Sequence, residues 1–174
     1  MTHNRWLLVA AALAGAPCAA HAQALVTERS ISVDAALDVA KASLDACRKH
    51  GSVVSITVLD RAARPVVTLR DNGASPHSVE HSLRKAYTAL TYNMPSADYG
   101  KRAAAEPGVS AGPLHLANMT TSAGGLPIRA GNTLVGSIGG SGTPGAKGGG
   151  EADAGCAQAG IDRITKALAT PPKE

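Results

Sequence analysis

The chain has 174 residues, 44% hydrophobic and 17% charged, with a formal net charge of +4. That is enough for one domain with a true core, and it excludes disorder by composition. With one Trp, three Tyr and no Phe, the core must be Val, Ile, Leu and Ala, and a ring platform for stacking single-stranded nucleic acid is excluded. The charges alternate in sign without a basic block, so no nucleic-acid partner is indicated. No apolar run reaches the roughly 18 residues that a permanent membrane span requires.

Residues 1–22 read as a secretory leader. Arg5 supplies the positive start, Trp6 to Ala16 a short apolar stretch, and Ala20-His21-Ala22 small residues at the two positions a signal peptidase reads, with cleavage after Ala22. Lipid anchoring at Cys18 is the alternative, with Gly15-Ala16-Pro17 a poor lipobox. The expected organisation is a leader over 1–22, an extension over 23–30, one domain over 31–168 and a loose tail over 169–174. Export would make the protein periplasmic or secreted and leave two cysteines, Cys47 and Cys156, in an oxidising compartment where such a pair can bridge.

Ser32 is placed as a helix N-cap. Val33, Leu37, Ala40, Leu44 and Cys47 follow as one apolar helical stripe, with Gly51 as the terminating cap. Asp45 and Lys49 are spaced for an i,i+4 pair. Val53 to Asp60 reads as a strand, Arg61 to Arg64 as a turn, and Pro65 to Arg70 as the returning strand. After an Asp71-Asn72-Gly73 turn, Ser75 and Pro76 open a second helix as N-cap and N1. Its core stripe is read as Val79, Leu83, Ala86 and Leu90, and it stops near Asn93, before Pro95. A short helix is expected over 96–105 and irregular chain over 106–118.

Residues 124–160 hold most of the 19 glycines. Leu126 to Ala130 and Thr133 to Ile138 read as strands joined by Gly131-Asn132, a hairpin signal. Gly139 to Gly150 reads as a glycine-rich loop. Glu151 to Leu168 reads as the closing helix, with Cys156, Ala159 and Ile164 among its apolar positions. Hairpins near both ends argue for an antiparallel sheet covered by helices.

Several stretches resemble the GlcG/HbpS family: Val58-Leu59-Asp60, Arg84-Lys85-Ala86-Tyr87-Thr88-Ala89, and the run from Gly124-Gly125-Leu126-Pro127-Ile128 through Val135-Gly136-Ser137-Ile138-Gly139-Gly140-Ser141-Gly142. The last continues into Glu151-Ala152-Asp153 and Ala157-Gln158-Ala159-Gly160, so the resemblance spans about residues 31–168. It implies an α/β domain of the α+β, profilin-like type: a five-stranded antiparallel sheet with helices on both faces, often as a homo-oligomer. It also implies haem binding, sometimes described as haem degradation. Two departures stand out. Arg61-Ala62-Ala63 replaces the usual glycine after the aspartate, and Gly-Gly-Ser-Gly at 139–142 replaces Gly-Val-Ser-Gly. In the family's sheet order the first and last strands are antiparallel neighbours, which would set Cys47 beside Cys156 as a disulfide.

On the second helix His77, His81, Arg84 and Thr88, with Lys85 beside them, form a stripe on the side away from Val79. Imidazole nitrogen ligates iron, and Arg or Lys pairs with haem propionates. A solvated polar face explains the same spacing. His77-Ser78-Val79-Glu80-His81 also matches H-x-x-E-H, an inverted zinc-protease pattern in which Glu80 would activate water and Glu151 add a third ligand. Five residues match easily by chance, and such proteases are much larger. The 139–143 loop, ending in Thr143, offers backbone N–H groups for a carboxylate or phosphate, but it lacks the Lys-Ser/Thr ending of a nucleotide loop. Glu151 and Asp153 read as first-turn acids facing the helix dipole. His115 with Met119 is a possible second axial pair, and Tyr92 and Tyr99 possible cavity walls; packing explains both.

The functional expectation is therefore an exported, homo-oligomeric binder of haem or a related anionic small molecule, through His77, His81, Arg84, Lys85 and Thr88 with Gly139, Gly140, Ser141 and Gly142 shaping the cavity. A small enzyme on the same scaffold, degrading haem or converting a small acid, is the second reading. An oligomeric sensory partner of a membrane protein is the third.

Overall fold

The computed structural model describes residues 26–169. The expected leader therefore lies outside the described residues, as do positions 170–174 of the expected tail.

Ser32 opens helix α1 (Val33–Lys49), its hydroxyl oxygen accepting the Ala35 N–H at 3.2 Å. The chain leaves the helix through His50 and Gly51, the latter at φ 66. Strands β1 (Ser55–Asp60) and β2 (Pro65–Arg70) form a hairpin, and the Asp60 carboxylate accepts the Arg64 N–H at 2.8 Å to hold the turn. Helix α2 (Ser78–Tyr92) ends at Asn93, whose left-handed φ of 55 halts it ahead of Pro95. Helix α3 (Ser96–Ala105) follows, then α4 (Pro107–Leu114). Strands β3 (Gly125–Ala130) and β4 (Thr133–Ser141) turn through Gly131, at φ 60, and Asn132. A 3-10 turn (Gly145–Lys147) leads into α5 (Gly149–Leu168).

The sheet runs β2-β1-β4-β3, antiparallel throughout. It has four strands where the resemblance implied five; these four are the ones the β-branched runs mark. The segment before β3 bonds sideways instead. Thr120 gives its N–H to Thr88 Oγ1 at 3.0 Å, and the Ser122 carbonyl accepts from Ser96 Oγ at 2.8 Å.

The two faces of the sheet differ chemically, because alternate residues point to opposite sides. Ile56, Val58, Ile128 and Ile138 join α1 and α5 in one aliphatic core. Cys47 and Cys156 lie within it as a disulfide joining the two helices. The opposite face is a floor of hydroxyls and glycines under α2. Ser55 Oγ meets Ser78 Oγ at 2.8 Å, Thr57 Oγ1 meets Ser82 Oγ at 2.7 Å, and Ser137 Oγ donates to the Ala86 carbonyl at 2.8 Å. A Cβ on Gly139 would overlap the Ser82 carbonyl and sit 2.7 Å from Ala86 N, so the helix backbone lies directly on the strand.

The structure corrects five sequence expectations. The α2 stripe is rotated: Ser78, Ser82, Lys85, Ala86 and Ala89 are buried, and Val79 and Leu83 only half so. Helix α2 also begins at Ser78 rather than at Pro76, with Ser78 Oγ donating to the Ser75 carbonyl at 2.6 Å. On α1 Ala40, Leu44 and Cys47 are buried as expected, but Ala36, Val39 and Ser43 also turn inward and Val33 is exposed, because Gly160 of α5 admits the α1 backbone at Val39. On α5, Ala159 is exposed where an apolar position was expected. Helix α4 occupies part of the segment expected to be irregular; Pro107 at its start fixes φ for a first turn that needs no N–H there.

Candidate functional site

Helix α2 turns His77, Glu80, His81 and Arg84 outward, and these four line an open recess of about 230 Å³. The spacing i, i+3, i+4, i+7 puts them on one side of the helix. Arg84 Nη2 donates to Glu80 Oε1 at 2.5 Å, an i,i+4 pair at the surface. Glu80 was anticipated only as a water-activating acid; its pairing with Arg84 is the spacing signal that places it here.

His81 is the half-buried member. Its Nδ1 lies 3.2 Å from Ser141 Oγ at the end of β4. Burial lowers its pKa below the ordinary imidazole value, and the positive charge of Lys85, then that of His77, adds to the effect. The ring is therefore neutral at pH 7. With Nδ1 engaged by Ser141, the nitrogen left for a ligand is Nε2.

Lys85 and Thr88 are not on this recess. Lys85 is buried, and its ammonium donates to Asp153 Oδ2 at 2.9 Å and to the Gly140 carbonyl at 2.9 Å. Asp153 uses its other oxygen to accept the Thr143 N–H at 3.1 Å, so it holds the end of β4 and not the dipole of α5. An ammonium inside the fold needs this compensation. Thr88 is likewise enclosed, donating to the Arg84 carbonyl and accepting from Thr120.

The expected 139–143 loop is not a loop over its first half. Strand β4 continues through Ser141, and Gly139 and Gly140 are buried between helices, with a Cβ on Gly140 coming within 3.1 Å of the Asp153 carbonyl. Gly142, at φ 137, crosses over Val53 and Val54. Their absent side chains permit close packing; only Ser141 reaches the candidate site.

Glu151 stays exposed in the first turn of α5, and among the described residues no three His, Cys, Asp or Glu side chains converge as metal ligands. The zinc pattern thus lacks its third ligand there. His115 is exposed, Met119 is buried, and neither lines the recess. Tyr92 and Tyr99 stack with ring centres 4.1 Å apart, and burial pushes the Tyr99 hydroxyl up to about 12.

A four-stranded antiparallel sheet with α1 and α5 on one face and an imidazole-bearing α2 on the other defines an α+β domain of the profilin-like type. The chain belongs to the HbpS-like family: the model described as "Haem degrading protein HbpS-like" matches residues 31–162. A double mutant of HbpS from Streptomyces reticuli is 35% identical, over 86% of this chain and 97% of that one, with a TM-score of 0.73. Protein ORFY of Klebsiella pneumoniae is 22% identical over 83% and 97%, with a TM-score of 0.72. PduOC, solved as a complex with haem, is 21% identical over 78% and 95%, with a TM-score of 0.67. No curated protein sequence matches the chain.

Proposed function

We propose that this protein binds haem, or a related anionic small molecule, at the α2 recess, with His81 Nε2 as the iron ligand and Arg84 as the partner of a propionate. The observation that carries this reading is His81 itself, neutral, half-buried and gripped at Nδ1 by Ser141 beside a guanidinium. A ring whose other nitrogen is already bonded is the usual arrangement for a ligating histidine. The family's description as haem degrading and the haem complex of PduOC support the choice of ligand. Bound iron porphyrin would supply redox chemistry; this chain's residues would orient it and hold its carboxylates.

At about 230 Å³ the recess falls below the usual range for sites that enclose a ligand of drug size. It grips an edge, so a second copy closing over the other side completes the site, and the working form is a homo-oligomer. The Cys47–Cys156 disulfide and the leader-like residues 1–22 support a periplasmic or secreted location.

Titration with haem tests the reading. A Soret shift that saturates in the native protein and is lost in His81→Ala supports it, and an unshifted Soret band in the native protein ends it. Adding a reductant to the loaded protein then shows whether bound haem is consumed.

A further inference from the structure

A larger cavity lies at the opposite end of β4. It measures about 450 Å³, and Ile31, Ala35, Ala130, Val135, Ala167 and Leu168 form its walls. Val135 lines it while Ser141 touches His81, so some six residues of strand, about 20 Å, separate it from the α2 recess. Among the described residues no ring lines it, which suits an alkyl chain better than a planar ligand.

On its polar rim Glu28, Ser30 and Ser32 are engaged within the protein, and Thr27 adds a neutral hydroxyl. Glu28 Oε1 stands 3.3 Å from Arg61 Nε. Ser30 Oγ accepts the Arg61 N–H at 3.1 Å, and Ser32 Oγ accepts the Ala35 N–H. Arg29 is different: it is exposed on the same rim, and among the described residues it has no hydrogen-bond or ion-pair partner. Among the described residues the rim therefore offers one uncommitted positive fork above an aliphatic chamber, and the complementary ligand carries one carboxylate on an apolar body.

We infer that this cavity, formed between the start of α1, the β3–β4 hairpin and the end of α5, is a second ligand site that takes an aliphatic monocarboxylate, with Arg29 on its carboxylate and the Ile31–Val135–Leu168 chamber around its chain. The site does not depend on haem binding at α2. Residues 170–174 follow directly on the cavity wall and are the rival occupant.

Calorimetric titration of the purified protein with decanoate at neutral pH tests the inference. The expected result is saturable binding of one decanoate per chain. Arg29→Gln should weaken it about tenfold or more, as loss of a bidentate charged bond does. Ala35→Leu, which fills the chamber, should remove binding while the circular-dichroism melt and the Cys47–Cys156 bridge stay as in the native protein. His81→Ala should bind decanoate normally, so that failure of the haem reading and failure of this one are told apart. Absence of saturable binding overturns the inference. So does equal binding by native, Arg29→Gln and Ala35→Leu proteins, or binding seen only after residues 170–174 are removed, which assigns the cavity to the chain's own end.

Discussion

Lys85 Nζ donates to Asp153 Oδ2 at 2.9 Å with both side chains almost wholly enclosed, and the pair ties α2 to α5 across the end of β4. The same ammonium holds the Gly140 carbonyl and the same carboxylate holds the Thr143 N–H, so Ser141, between them, is fixed where it meets His81.

Removing one partner strands a buried charge. Lys85→Met or Asp153→Asn should cost about 3–5 kcal/mol by urea denaturation. Lys85→Met with Asp153→Leu should recover most of that, but not all, because the Thr143 N–H loses its acceptor at a cost of about 1–3 kcal/mol. Single and double variants of equal stability would show that the pair does not act as a unit.

Gly139→Ala tests the contact between α2 and the sheet. The new methyl must displace the Ser82 carbonyl, and the helix can move only by breaking the hydroxyl layer beneath it. The expected loss is about 1–3 kcal/mol, the range for overpacking. A displaced helix also carries His81 away from Ser141, so the haem titration should weaken in the same variant. A native melting temperature would disprove the contact.

The Cys47–Cys156 bridge closes a loop of 109 residues inside the aliphatic core. Reduction should lower stability by about 4–5 kcal/mol in the chain-entropy account. The melting temperature with and without reductant measures this, and mass spectrometry under non-reducing conditions showing two free thiols would contradict the bridge.

His81 gives a pH dependence of known sign. Its folded pKa lies below the ordinary 6.5, chiefly through burial. Between that lowered value and 6.5 the unfolded chain binds more protons, so stability falls as the pH drops through this window and levels off below it. His81→Gln should remove that part of the slope. Because the folded ring stays neutral through that window, haem ligation should persist within it, and an NMR titration placing His81 at or above 6.5 would refute the account.

Ser141→Ala should leave the fold intact and weaken haem binding, because the imidazole loses the bond that orients it. The expected loss is about tenfold, the lower end for the partner of a ligating histidine. An unchanged titration would separate Ser141 from ligand binding.

The sequence displays the strands well. Val, Ile and Thr runs and the Gly131-Asn132 turn mark them, and α3 falls at its expected bounds. The inward side of α2 was hidden for a physical reason. Hydrophobic periodicity seeks large apolar residues, whereas this helix is seated by Ser78 and Ser82 against hydroxyls and a bare Gly139. The stripe of imidazoles and Arg84 was visible from helical spacing alone. Lys85 was counted with that stripe because its acidic partner is 68 residues distant and nothing local announces it.

The seat under α2 limits where the proposed site can vary. Bulk cannot be added from below, since glycines 125 and 139 already admit helix backbone to the limit of contact. Within one subunit, variation at the proposed site is therefore confined to the outward edge of α2, at positions 77, 80, 81 and 84, while the platform beneath them stays as it is.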